Sequence, residues 1–268
     1  MAVPLLQIDA FTATPFRGNP AAVCLLDTPA DPAWMQHVAA EMNLAETAFV
    51  VLQDGRFGLR WFTPEVEVAL CGHATLAAAH ALWDTERVPV DREILFETLS
   101  GTLRAQRVDG RIAIELPSRP VAPDMPPPAL VDALGAAPRA VFATIAGGTG
   151  AHGNYLLEYD SEGAVTSLRP DFAKLREIPG GVIVTARGSG RYDFVSRFFA
   201  APYGIDEDPV TGSAHCSLAP FWAERLGKTA FLAWQASKRG GELQVTLAGD
   251  RVRLAGHAVT VLRGELVV

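Results

Sequence analysis

The chain is a succession of short apolar runs of strand length, cut by turn residues and interrupted by a few longer Ala- and Leu-rich stretches of helical length. Leu5 to Phe11 and Ala21 to Leu26 read as strands on either side of the turn cluster Pro15-Phe16-Arg17-Gly18-Asn19-Pro20. Asp31 stands where it can cap a helix running through Met42, and Pro32 takes the first helical position, where a missing N–H costs nothing. Thr47 to Leu52 and Arg56 to Phe62 form a strand pair joined by the Asp54-Gly55 hairpin signal. A helix from Gly72 to Trp83 follows, then strands at Glu93 to Glu97, Thr102 to Arg107 and Arg111 to Leu116.

Six prolines lie between Pro117 and Pro128, which excludes helix or central strand there and marks a linker. Beyond it the pattern predicts a short helix from Ala129 to Leu134, strands at Ala140 to Ile145 and Asn154 to Tyr159, and a helix from Asp171 to Arg176. Strands at Val182 to Ala186 and Tyr192 to Phe199 come next. A helix from Gly212 to Leu226, ended by Gly227, precedes three strands near 242 to 247, 251 to 255 and 258 to 267.

The two halves echo each other. Arg60-Trp61-Phe62-Thr63-Pro64, an acidic stretch, then Cys71-Gly72-His73-Ala74 return as Arg197-Phe198-Phe199-Ala200-Ala201-Pro202, Asp206-Glu207-Asp208, then Thr211-Gly212-Ser213-Ala214, with Gly72 and Gly212 140 positions apart. Each copy reads as a strand, an acidic loop and a glycine opening a helix. Repeated strand-rich segments around one helix give an α+β class with two lobes, 1–117 and 129–268, joined by the linker 118–128, the last strand being available to pack on the first lobe.

Composition narrows the function. Among 268 residues, 23 Lys and Arg against 30 Asp and Glu leave a formal charge of −7, which lacks the basic surface that nucleic acid requires. Three cysteines without CxxC spacing argue against a disulfide framework or zinc knuckle and favour a reduced cytoplasm. No apolar run reaches the length of a membrane span, and the first eleven residues carry no basic signal. The histidines show no HExxH or His-x-His spacing, which argues against a catalytic metal.

A helix N-terminus presents unpaired N–H groups and partial positive charge, so two of them facing one cleft would grip a small carboxylate from both sides. Gly72 and Gly212 are candidate substrate-binding positions on this ground, and His73 and Ser213, one residue further in, are candidate functional side chains. Asp206 and Glu207 read as a solvated acidic loop. Asp208, stiffened by Pro209, stands apart as a residue able to orient a neighbour or stabilise protonated His73. Glu46 sits among apolar neighbours where a strand begins; it is either a turn glutamate reaching water or, if partly buried, a proton shuttle with raised pKa. Cys71 is at a position that favours thiolate, whereas Cys24 and Cys216 read as packing residues. Gly147-Gly148-Thr149-Gly150 lacks the Lys-Ser/Thr of a phosphate loop and reads as a turn.

Asp9-Ala10-Phe11 with Phe16-Arg17-Gly18-Asn19-Pro20-Ala21-Ala22-Val23, then Asn43-Leu44-Ala45-Glu46-Thr47, Cys71-Gly72-His73-Ala74-Thr75 and Asp208-Pro209-Val210-Thr211-Gly212-Ser213-Ala214 together resemble the PhzF family of phenazine-biosynthesis isomerases and their relatives. The resemblance spans nearly the whole chain. It implies the diaminopimelate epimerase-like fold: two pseudo-symmetric lobes, each a curved, mostly antiparallel sheet around a central helix, with the site between them and usually a homodimer. It further implies a cofactor-free isomerase in which Glu46 moves a proton across a small carboxylate substrate in an allylic shift, while His73, Asp208 and Ser213 bind and polarise that substrate. Apart from the resemblance, Arg17, Asn19 and the loops around Gly147 and Tyr203 are unranked candidates to line the pocket. An amino-acid racemase of the same fold, or a member that binds metabolites without turnover, is the alternative. Two-thiol racemisation lacks half its apparatus here, since Thr211 stands where a second cysteine would pair with Cys71.

Overall fold

The computed structural model describes residues 2–53, 55–144 and 153–267. In its front part, strands β1 (Ala2–Ala10) and β2 (Asn19–Leu26) lead into helix α1 (Pro32–Met42), then β3 (Glu46–Gln53), β4 (Arg56–Phe62), the two-residue β5 (Glu67–Val68), helix α2 (Gly72–Asp84), and β6 (Ile94–Thr98), β7 (Gly101–Val108) and β8 (Arg111–Pro117). The rear part holds β9 (Val121–Pro123), α3 (Pro128–Leu134), β10 (Ala140–Thr144), β11 (Tyr155–Glu158), α4 (Glu162–Ser167), α5 (Phe172–Leu175), β12 (Val182–Arg187) and β13 (Phe194–Ala200). It continues through β14 (Ile205–Asp208), α6 (Gly212–Leu226), β15 (Ala230–Gln235), β16 (Gly241–Ala248), β17 (Arg251–Gly256) and β18 (Ala258–Val267).

Packing divides the chain into two units, Met1–Leu116 with Arg253–Val268, and Pro117–Val252. In the first, strands are ordered β18-β1-β2-β3-β4-β6-β7-β8; β2–β3 and β4–β6 run parallel and the other pairs antiparallel. Helix α2 lies against β1, β2, β3, β7 and β18. It is Ala-rich because nearly every turn of it is buried, which small side chains allow without forcing the strands apart. Helix α1 begins as its sequence dictates: the Asp31 carboxylate accepts from the Ala33 and Trp34 amides, and Asn43 ends the helix in the left-handed conformation at φ 49°.

The second unit repeats this order as β9-β10-β11-β12-β13-β15-β16, with β11–β12 and β13–β15 parallel. Its central helix α6 packs Phe221 on Phe142 of β10 and stacks Trp222 on Phe194 of β13. Trp222 also donates through its indole N–H to Thr185 Oγ1 of β12 at 3.0 Å. The α+β class and the mostly antiparallel sheets agree with the reading of the sequence.

Several local readings change. The acidic stretches are strands rather than loops: β5 pairs back on β4, and β14 on β13. Charge does not prevent this, because each carries a glutamate gripped in bidentate fashion by an arginine of the adjoining strand: Arg60 to Glu67 at 2.7 Å twice, and Arg197 to Glu207 at 2.8 and 3.0 Å. Glu207 is therefore not a solvated residue, whereas Asp206 is exposed, on Arg176. Residues 118–128 fall within the second unit, where Val121–Pro123 pair only with β10 among the described residues, an edge position that tolerates proline. The closing strand β18 pairs with β1 and belongs to the first unit. The first unit's sheet is thus bordered by a strand that follows the whole second unit in sequence. No described helix is long and apolar enough to cross a membrane.

Candidate active site

In the first unit a strained turn and a helix stop deliver two polar residues to adjacent strands. Asp9, almost wholly buried, accepts from the Phe16 amide at 2.7 Å and pins the turn between β1 and β2. Phe11 adopts φ 62°, costly for a bulky side chain, yet its ring is fully buried against Gly256, where an added Cβ would come within 2.5 Å of Phe11 Cδ1. Gly18, at φ 63°, approaches Ala10 so closely that a Cβ would lie 2.1 Å from its carbonyl oxygen. The turn ends on Asn19, the fully buried first residue of β2. Past α1, Asn43 turns the chain back and β3 opens on Glu46, which lies opposite Ala21 of β2.

Asn19, Glu46, Cys71 and His73 come together. His73 Nε2 is 3.2 Å from Glu46 Oε2, with the imidazole 5% and the carboxylate 19% exposed. Asn19 Nδ2 lies 3.1 Å from His73 Nδ1, and Cys71 Sγ 3.6 Å from the same nitrogen. An amide nitrogen only donates, so Nδ1 accepts and Nε2 carries the ring proton toward Glu46. Burial pushes the His73 imidazole down to about 3, which keeps the ring neutral. Cys71 caps α2 without a side-chain hydrogen bond to its first turn, and Thr75 Oγ1 holds the Cys71 carbonyl at 2.5 Å. Glu46, Cys71 and His73 present metal-ligating atoms all within 4.8 Å of one another.

The second unit places Asp208, Thr211 and Ser213 around the start of α6. Thr211 Oγ1 donates to Asp208 Oδ2 at 2.5 Å. Gln235, fully buried at the end of β15, accepts from the Thr211 amide at 2.8 Å and donates to the Asp208 carbonyl at 2.8 Å and to Thr211 Oγ1 at 3.1 Å. Because Gln235 supplies a proton to the threonine oxygen, the hydroxyl must spend its own on the carboxylate. Asp208 is thus oriented through Thr211, within its own unit. Ser213 is half-buried in the first turn of α6, which Gly212 opens. His215 repeats the part of Thr75, its Nδ1 lying 2.8 Å from the Thr211 carbonyl, and burial pushes its imidazole down to about 4. Gln235 escaped the sequence reading because β15 did: nothing local distinguishes this glutamine.

The repeat is unequal at one position. Thr47 pairs with Phe62 and Val182 with Phe199, so the place before each pair is Glu46 in the first unit and Gly181 in the second. A Cβ on Gly181 would lie 2.4 Å from Phe198 Cζ, leaving that position no room for a carboxylate. Cys24 and Cys216 are packing residues as expected, each thiol pushed up to about 12 by burial. Arg17 is exposed, Tyr203 is 59% exposed, and the glycine-rich turn 147–150 lies outside the described residues.

The chain matches the family described as phenazine biosynthesis-like protein, PhzC-PhzF, over residues 8–264. An uncharacterized isomerase of Halalkalibacterium halodurans is 50% identical over 272 residues, covering 100% of both chains. A crystal structure of a phenazine biosynthesis PhzF-family protein from Enterococcus faecalis superposes with TM-score 0.92 at 38% identity, again over 100% of both chains. A hydroxyproline epimerase from Agrobacterium vitis shares the fold at TM-score 0.65 and 13% identity, over 99% of this chain and 92% of that one. The four motifs that frame Asn19, Glu46, His73 and Asp208 all fall within the matched residues, and the chain belongs to the phenazine biosynthesis-like PhzC-PhzF family, as an isomerase.

Proposed function

We propose that this isomerase moves a proton between two carbons of a small carboxylate-bearing substrate, an allylic shift in which Glu46 is the single acid and base. The observation that carries this reading is the pairing of a largely shielded Glu46 carboxylate with a buried, neutral His73 at 3.2 Å. A proton that leaves one carbon and returns to another of the same molecule needs one group able to hold it meanwhile, away from bulk water. Glu46 supplies that group, and the N–H of His73 steadies the carboxylate once it has lost its proton to substrate. Inversion of a carbon centre would call for a second base, and neither Gly181 nor Thr211, at the echoed positions, can serve as one. Asn19 anchors the imidazole; Asp208 and Ser213 are assigned to substrate binding and polarisation on the strength of the motif that contains them. None of the three cysteines is in a disulfide, which fits a reducing cytoplasm.

The test is deuterium incorporation from deuterated water into a panel of small unsaturated carboxylic acids, followed by NMR. An acid that exchanges with the native enzyme and not with Glu46→Gln supports the assignment. Exchange that survives the substitution removes it.

A further inference from the structure

The cluster that holds the proposed base is also a ligand set. We infer that Glu46, Cys71 and His73 form a binding site for a zinc-like divalent cation, with Asn19 as its outer partner. Carboxylate, thiolate and imidazole are the donors such an ion takes, and three protein donors leave a fourth position for water or an anionic ligand. Two ligands at about 2.0–2.1 Å from a tetrahedral zinc stand about 3.3 Å apart. His73 Nε2 and Glu46 Oε2 already stand 3.2 Å apart. His73 Nε2 is buried and faces the carboxylate at 3.2 Å without the alignment of a hydrogen bond, so its approach to Glu46 is electrostatic. Cys71 Sγ sits toward the opposite edge of the ring, 3.6 Å from Nδ1, and the three ligating atoms fit within 4.8 Å. For an ion held on Nε2, the Cys71 side chain would have to rotate toward that nitrogen to close the third corner.

Charge and protons balance. One thiolate and one carboxylate neutralise the dication, and the imidazole stays neutral. Binding through Nε2 moves the ring proton to Nδ1, so the Asn19 amide must turn to offer Oδ1 in place of Nδ2, the outer hydrogen bond that fixes a metal-bound imidazole. The only proton released is that of the Cys71 thiol. The site stands on these side chains whatever reaction the protein catalyses; where Glu46 is the base, occupation captures it.

Zinc titrated into chelator-treated protein against a chromophoric chelator tests this, with cobalt as a spectroscopic substitute. The expected result is one zinc per chain, about one proton released per zinc, and a thiolate-to-cobalt charge-transfer band. Cys71→Ser should abolish that band and Glu46→Gln should keep it, both weakening zinc about tenfold or more, a loss no smaller than that of an outer-shell partner, with unchanged circular dichroism. No binding in the native protein, a spectrum without the thiolate band, or affinity indifferent to both substitutions overturns the site. Zinc binding that meets these criteria while Glu46→Gln still exchanges substrate protons leaves the metal site standing and removes only the base assignment.

Discussion

His73 Nε2 faces Glu46 Oε2 at 3.2 Å, while the opposite nitrogen of the same ring is held by Asn19 Nδ2 at 3.1 Å. The imidazole therefore links a residue of β2 to the first residue of β3. His73→Ala leaves the Asn19 amide without this partner, at a cost of about 1–3 kcal/mol. Proton exchange should fall about a hundredfold or more. Chemical denaturation and exchange rates on one preparation check both.

The repeated arginine clamps differ in burial, and their loss should differ accordingly. Arg197 is 9% exposed, reaches the Val165 and Leu168 carbonyls and lies over the Phe199 ring, whereas Arg60 is 34% exposed. Arg197→Ala strands Glu207 in a poorly solvated place and should cost about 3–5 kcal/mol. Arg60→Ala should cost about 1 kcal/mol or less, since water reaches that pair. Equal losses in urea titrations would contradict this account.

Gly18→Ala meets two obstacles, a positive φ and a Cβ 2.1 Å from a backbone oxygen. The turn must deform and Asn19 must move with it. The expected outcome is a marked fall in exchange activity with a smaller fall in thermal midpoint, because the damage is directed at the residue the turn delivers.

His215 gives a pH signature outside the candidate catalytic cluster. It packs beside the Phe194 ring and the Thr211 carbonyl, and burial depresses its imidazole from 6.5 to about 4. Between those values the unfolded chain binds a proton that the folded chain refuses. The stability is fully present above about pH 6.5 and is lost as pH falls toward 4, with a slope of about 1.4 kcal/mol per pH unit. Subtracting the profile of His215→Gln from that of the native protein should isolate this slope.

Much of the architecture was legible because it is local. Asp31, Pro32 and Asn43 mark both ends of α1 within a dozen residues, and the hairpin of β3 and β4 follows from its turn and flanking runs. What escaped depends on distant partners. Glu67 and Glu207 look like loop residues until an arginine on the neighbouring strand is brought beside them. The run Ala230 to Gln235 becomes a strand by pairing parallel to β13 across the whole of α6, and α4 is a single short helix held by the Ser161 cap. At the candidate site, Glu46 and His73 could be singled out by motif, but the sequence left Glu46 open between a solvated turn and a shielded shuttle. The close approach of Asn19 and Cys71 to the same imidazole required the fold.

The borrowed border strand of the first unit limits how this protein can be divided. A fragment ending at Leu116 would carry Glu46 and His73 yet expose the bare flank of β1, an open template for aggregation. Its missing piece, β18, follows the whole of the second unit in sequence, so the first unit is finished only after the second has been synthesised.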